Sequence, residues 1–121
     1  MQQRYCLEVS YLGKNYHGSQ SQINARTIQS ELEKALQIYF RKPFSLVGAS
    51  RTDSGVHAIQ NFFHFDTDIC IHQDEVYNLN SILPADISIT GIYKISNNFH
   101  ARFFFFFLVL IFYFLFIIIS F

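Results

Sequence analysis

All 18 charged residues of this chain stand at or before Arg102, and residues 103–121 read FFFFFLVLIFYFLFIIISF. Nine of the 15 phenylalanines fall in that closing run, where only Tyr113 and Ser120 carry a polar group. A globular unit needs polar residues to face water as well as apolar ones to bury, and the run has almost none. The chain therefore divides into a body, residues 1–102, and an apolar tail, residues 103–121. With the tail set aside, the body has the apolar share of an ordinary soluble domain. The full length of 121 residues has room for one compact domain and not for two.

Three readings of the tail compete. As a helix it would reach about 28 Å, close to the hydrocarbon thickness of a bilayer, which fits a C-terminal membrane anchor. As a buried pair of strands it lacks any turn residue. As out-of-frame text it would come from a U-rich tract, because Phe, Leu, Ile and Val codons share a middle U. The surplus of Phe over what a span needs favours the out-of-frame reading over the anchor.

Nine Lys and Arg balance nine Asp and Glu, giving a formal net charge of zero. That argues against a basic nucleic-acid coat, an acidic tail or a disordered chain. Cys6 and Cys70 are too few for a disulfide scaffold, which suits a reducing, cytoplasmic setting. The opening MQQRYCLEVSYLGKN is broken by charge too early for a cleavable signal peptide.

Along the body, Tyr5, Leu7, Val9 and Tyr11 alternate with Cys6, Glu8 and Ser10, predicting a strand over 4–11 with one buried face. A Gly-rich polar loop comes next. Thr27 is placed to cap a helix running to Phe40, with Ile28, Leu32, Ala35, Leu36 and Tyr39 on one stripe. Arg41 and Lys42 suit its C-terminal end, and Pro43 bars continuation. Residues 44–48 and 58–66 read as strands. Residues 74–83 read as a helix ended by Pro84, and Ile87–Ile95 as a strand with a bulge at Gly91. The order β-α-β-β-α-β is that of an α+β, ferredoxin-like or RRM-like unit: an antiparallel sheet with both helices on one face.

The loop ASRTDSGVHA, residues 49–58, is the densest chemical feature. Arg51, Asp53 and His57 lie within seven residues, and Gly55 permits a positive φ. An arginine near a carboxylate can keep it ionised or hold a phosphate, and an ionised Asp can act as a nucleophile. Thr-Asp-Ser-Gly is equally ordinary turn chemistry. His57, His64, Cys70 and His72 match no zinc-ligand spacing. Lys14, Arg26, Arg41 and Lys42 are candidate phosphate contacts, and Gln20 and Gln22 could hydrogen-bond RNA. Cys6 reads as a packed strand residue rather than a reactive thiol.

RTDSGVHA resembles the signature G-R-T-D-x-G-V-H-A of the tRNA pseudouridine synthase A family. YHGSQSQINARTIQSELEKAL resembles that family's Y-x-G-x-Q-x-Q-x-N-x-R-T-V-Q-x-x-L-E-x-A-L, and NFHARF its F-H-A-R-F. The three matches keep their order and spacing over residues 4–103. The resemblance implies an RRM-like fold and isomerisation of uridine to pseudouridine at positions 38–40 of the tRNA anticodon stem-loop. It implies no metal or organic cofactor, tRNA as partner, and homodimers. It puts Asp53 at the catalytic aspartate, attacking either the uracil ring or the ribose anomeric carbon. Arg51 falls at the adjoining arginine, implied to help hold the flipped-out nucleotide by pairing with Asp53, contacting phosphate, or both. The substrate-binding candidates are Arg51, His57, Gln20 and Gln22, with His100 and Arg102 near the cleft. Ser50 and Ser54 depart from the family's usual Gly and Ala, and Ser19 stands where an aromatic residue is common. After Phe103 the family continues into a segment with an active-site tyrosine and a second α/β domain. The phenylalanine run replaces that text here, and Tyr113 has no matching neighbours. The expectation is therefore an inactive fragment of an isomerase. The competing expectations are a non-catalytic RNA-binding domain or a membrane-anchored remnant.

Overall fold

The computed structural model describes residues 2–98, together with Leu115 and Ile118. The rest of the tail, its boundary at 102/103, His100 and Arg102 lie outside the described residues. Among those described, no helix is long and apolar enough to cross a membrane.

The elements are β1 (Gln3–Tyr11), a 3-10 turn (Gly13–Asn15), α1 (Ile28–Phe40), β2 (Val47–Gly48), β3 (Ala58–Thr67), α2 (Glu75–Ile82) and β4 (Ile87–Ile95). They form a four-stranded antiparallel sheet in the order β2-β3-β1-β4. This is the expected α+β order, with the first and third strands at the centre. β2 is shorter than the 44–48 predicted for it, because Phe44 leaves the strand line to pack across Phe65 at 5.5 Å and 85°. The bulge sits one residue from its expected place. Glu8 pairs with Gly91 and Val9 with Ile89, so Thr90 is the extra residue.

Period-two alternation puts Tyr5, Leu7, Val9 and Tyr11 on one face of β1, opposite Phe65 and Phe63 of β3 and Ile92, Ile89 and Ile87 of β4. The α1 stripe Ile28, Leu32, Ala35 and Leu36 and Leu79 of α2 bury into the same core. Thr27 caps α1: its hydroxyl accepts the Ser30 N–H, and the Ser30 hydroxyl accepts the Thr27 N–H. Arg41 ends the helix in the left-handed conformation at φ 60°. The other sheet face carries Arg4 paired with Asp66, and Glu8 receiving hydrogen bonds from Gln60 and Tyr93. Cys6 and His64 are buried on that face, and burial pushes the Cys6 thiol up to about 12. The thiol is thus held protonated, as a packed strand residue should be.

Candidate active site

The loop between β2 and β3 carries Arg51, Asp53 and His57 and lies against the turn after β1. Polar bonds fix its backbone on both sides. The Ser19 N–H donates to the Thr52 carbonyl at 3.0 Å, and the Thr52 N–H donates to Ser19 Oγ at 2.7 Å. Asn61, inward on β3, donates to the Ser50 carbonyl at 3.2 Å and to the Tyr11 hydroxyl at 3.1 Å. With its oxygen accepting from Asn61, Tyr11 has its own proton available for Thr52 Oγ1 at 2.9 Å.

The tip is pinned as well. The Gly55 N–H and the Ser54 hydroxyl both donate to the Tyr16 carbonyl, each at 3.2 Å. Tyr16 is itself anchored. Its hydroxyl donates to Asp86, and the Arg26 guanidinium lies 4.9 Å from its ring centroid. Burial and then the bond to Asp86 push the Tyr16 hydroxyl well above its usual range. Val56 N–H closes a turn onto the Asp53 carbonyl at 3.1 Å, with Gly55 at φ 81°. This is the signature of a type II turn, and a Cβ at Gly55 would meet open space, so conformation alone demands glycine there.

Two further glycines are required by proximity. A Cβ at Gly13 would stand 1.8 Å from the Val56 carbonyl oxygen, and one at Gly18 2.7 Å from that of Thr52. Gly13 N–H donates to His57 Nδ1 at 2.8 Å. A backbone N–H can only donate, so Nδ1 is the accepting nitrogen of His57.

The outcome is a loop braced by hydrogen bonds that presents bare groups. Asp53 is exposed, and among the described residues its carboxylate has neither an ion-pair nor a hydrogen-bond partner. Arg51 is likewise exposed and forms no ion pair with Asp53. The ion pairs among the described residues are Arg4–Asp66, Arg26–Glu31 and Lys42–Asp68. Arg51 and Gln20 line one cleft of about 210 Å³ with Ser19, Ser50, Gly48 and Phe63. Gln22 turns its amide onto the His17 carbonyl at 2.9 Å, bracing its own loop. Of the other candidate phosphate contacts, Arg26 and Lys42 are engaged by Glu31 and Asp68. Cys70 Sγ and His72 Nε2 come within 3.8 Å, and no three His, Cys, Asp or Glu side chains converge as metal ligands among the described residues.

Sequence reasoning missed Thr52, Tyr11 and Asn61 as loop supports and weighed Ser19 only as a lost aromatic. One signal was present: Asn61 is a polar residue at an inward strand position beside Phe63 and Phe65. Such a residue survives burial, here 2% exposed, only with its hydrogen bonds satisfied.

No family model matches the chain. Curated relatives do. The tRNA pseudouridine synthase A of Staphylococcus aureus strain MRSA252 is 42% identical over 101 residues, covering 83% of this chain and 38% of the relative. Proteins of the same name from strains bovine RF122 / ET3-1 and Newman are each 41% identical over the same lengths. The chain thus spans well under half the length of the curated relatives it matches.

Proposed function

We infer that this partial member of the tRNA pseudouridine synthase A family carries, on Asp53, the nucleophile that converts uridine to pseudouridine in tRNA. The observation behind this reading is the exposed Asp53 carboxylate, without a partner among the described residues, on a loop braced from both sides. A free carboxylate on a fixed backbone is preorganised to attack. The substrate is the anticodon stem-loop at positions 38–40, and the target uridine must leave its stack to reach Asp53.

The carboxylate attacks either the ribose anomeric carbon or the uracil ring. The N–C glycosidic bond breaks, and the freed uracil turns before it rejoins the ribose. A carbon–carbon bond then forms, and the carboxylate is released. The ring nitrogen gains a proton and the ring carbon that becomes bonded to ribose loses one, so the reaction is an isomerisation that consumes no co-reactant. Neither a metal nor an organic cofactor enters. Arg51, unpaired with Asp53, is available for phosphate. Gln20 and Gln22 border the substrate from the neighbouring loop, and His57 offers Nε2–H.

These residues form one wall. Leu12, Val56 and Ile59 are exposed beside it, an apolar rim of the kind another wall would cover. The proposal therefore includes that the 121 residues do not turn over tRNA alone. It includes homodimers and a cytoplasmic site of action for the whole enzyme. The domain division at residue 102 and an out-of-frame origin for the tail belong to the same reading.

The test grafts the matched 101-residue segment in place of its counterpart in the Staphylococcus aureus relative and measures tritium release from uracil-labelled tRNA. Release by the graft, lost on Asp53→Ala, is expected. Undiminished release from the Asp53→Ala graft would remove Asp53 from the chemistry.

A further inference from the structure

The cleft beside the site loop is unused by the chemistry assigned to Asp53. Its floor is apolar, made by Phe63 and Leu46, and its walls come from Ser19, Ser50 and the backbone of β2. At about 210 Å³ it falls below the size of typical small-molecule pockets and suits one flat ring. Gly48 leaves the hollow open: a Cβ there would already stand 3.2 Å from the Phe63 ring. Two long polar side chains reach the rim, Gln20 and Arg51, and neither has a hydrogen-bond or ion-pair partner among the described residues. Gln29, also on the wall, is already engaged: it accepts the Ser21 N–H and donates to the Leu46 carbonyl.

The α1 N-terminus does not make this an anion site. The N–H groups of Ile28, Gln29 and Ser30 are already given to the Gly18 and Ser19 carbonyls and to Thr27 Oγ1. A lone phosphate would find one cation in the cleft among the described residues, Arg51, and would leave the apolar floor empty. A base with its own phosphate uses all three features: the ring on the apolar floor, its polar edge at the Gln20 amide, and the phosphate at Arg51. Arg51 and Asp53 are two residues apart, so their Cα atoms lie within about 7 Å of each other.

We propose that this cleft receives the base of a nucleotide adjacent to the one presented to Asp53, a second nucleotide subsite. It rests on the reading that the chain handles RNA. A uridine everted toward Asp53 leaves its neighbour unstacked, and the cleft replaces the lost stacking.

The experiment measures binding of the 121-residue chain to a labelled anticodon stem-loop RNA with one target uridine, and to two versions lacking the base 5′ or 3′ of it. One abasic RNA should bind about tenfold more weakly than the intact RNA. Gly48→Val, which fills the hollow, should bind intact RNA about as weakly and no longer distinguish it from that abasic RNA. Gln20→Ala alters an exposed side chain and serves if Gly48→Val fails to fold; it should weaken intact RNA about fivefold. Equal binding of all three RNAs by the wild type, or wild-type affinity in Gln20→Ala, overturns the subsite while leaving RNA binding intact. No binding of any RNA by the wild type overturns both the subsite and the RNA reading.

Discussion

The helix-facing core and the site loop are two regions of one small unit held by opposite means. The core is apolar side chains gathered in one buried cluster: α1 contributes Ile28, Leu32, Ala35 and Leu36, alongside residues of β1 and β3. The loop contributes few apolar contacts, and its geometry is set by hydrogen bonds to and from Ser19, Tyr11 and Asn61 and by those it donates to the Tyr16 carbonyl. Apolar packing tolerates rearrangement if volume is conserved, whereas a directional hydrogen bond fixes a backbone atom. Packing thus supplies stability here, and polar bonds supply position. The groups left bare by the polar bonds, Asp53 and Arg51, are the ones assigned to chemistry.

The sharpest way to break that division is to remove each kind of group and read both stability and turnover. In the grafted enzyme, Asp53→Ala should reduce tritium release about a thousandfold or more while thermal unfolding stays put, since it removes an exposed side chain that has no partner among the described residues. Leu36→Ala should do the reverse in kind. It empties a fully buried position and should cost about 2–5 kcal/mol in urea unfolding of the chain. A large stability loss from Asp53→Ala would show that the loop carries more of the fold than its contacts suggest.

The core was the legible part. Alternation in β1, the 3.6-residue stripe of α1 and the capping Thr27 each encode burial locally, so a single strand or helix reveals its own face. The element order then limited the sheet to few topologies. The loop was legible only as a collection of chemical groups. Its supports come from residues far apart in sequence, such as Tyr11 reaching Thr52 and Tyr16 reaching Ser54 and Gly55, and no local pattern encodes them. Phe44 failed as a strand residue for the same reason, since its partner Phe65 is remote. Gly13 and Gly18 looked like loop punctuation, yet each is required by the approach of another segment's carbonyl.

Gly13→Ala sharpens the comparison at smaller scale. The new methyl meets a backbone oxygen, not a yielding side-chain end, so the β1 turn and the site loop must separate. A loss of about 1–3 kcal/mol is expected, with amide shifts at Val56 and His57 that Leu36→Ala does not produce. Unchanged shifts there would mean that the two segments are not coupled. Thr27→Ala, which removes the hydroxyl that accepts the Ser30 N–H but keeps the Thr27 N–H bond to Ser30 Oγ, should cost about 1 kcal/mol and leave the loop amides unmoved.

The smallest effect concerns charge, on the sheet face that neither region uses. The hydrogen bonds from Arg4 hold the Asp66 carboxyl below the usual carboxylate range. Its folded value lies below its unfolded one, near 3.9, so the stabilisation is complete above that value and disappears as pH falls through the folded one. The Asp66 side chain is 41% exposed, so screening keeps the contribution under about 1 kcal/mol. Asp66→Asn should therefore flatten the acid limb of stability slightly and change nothing at the site loop. Unfolding measured between pH 2 and 6, at low and high salt, reads this directly. An acid limb in the variant identical to that of the wild type would show that the pair is formed but energetically neutral.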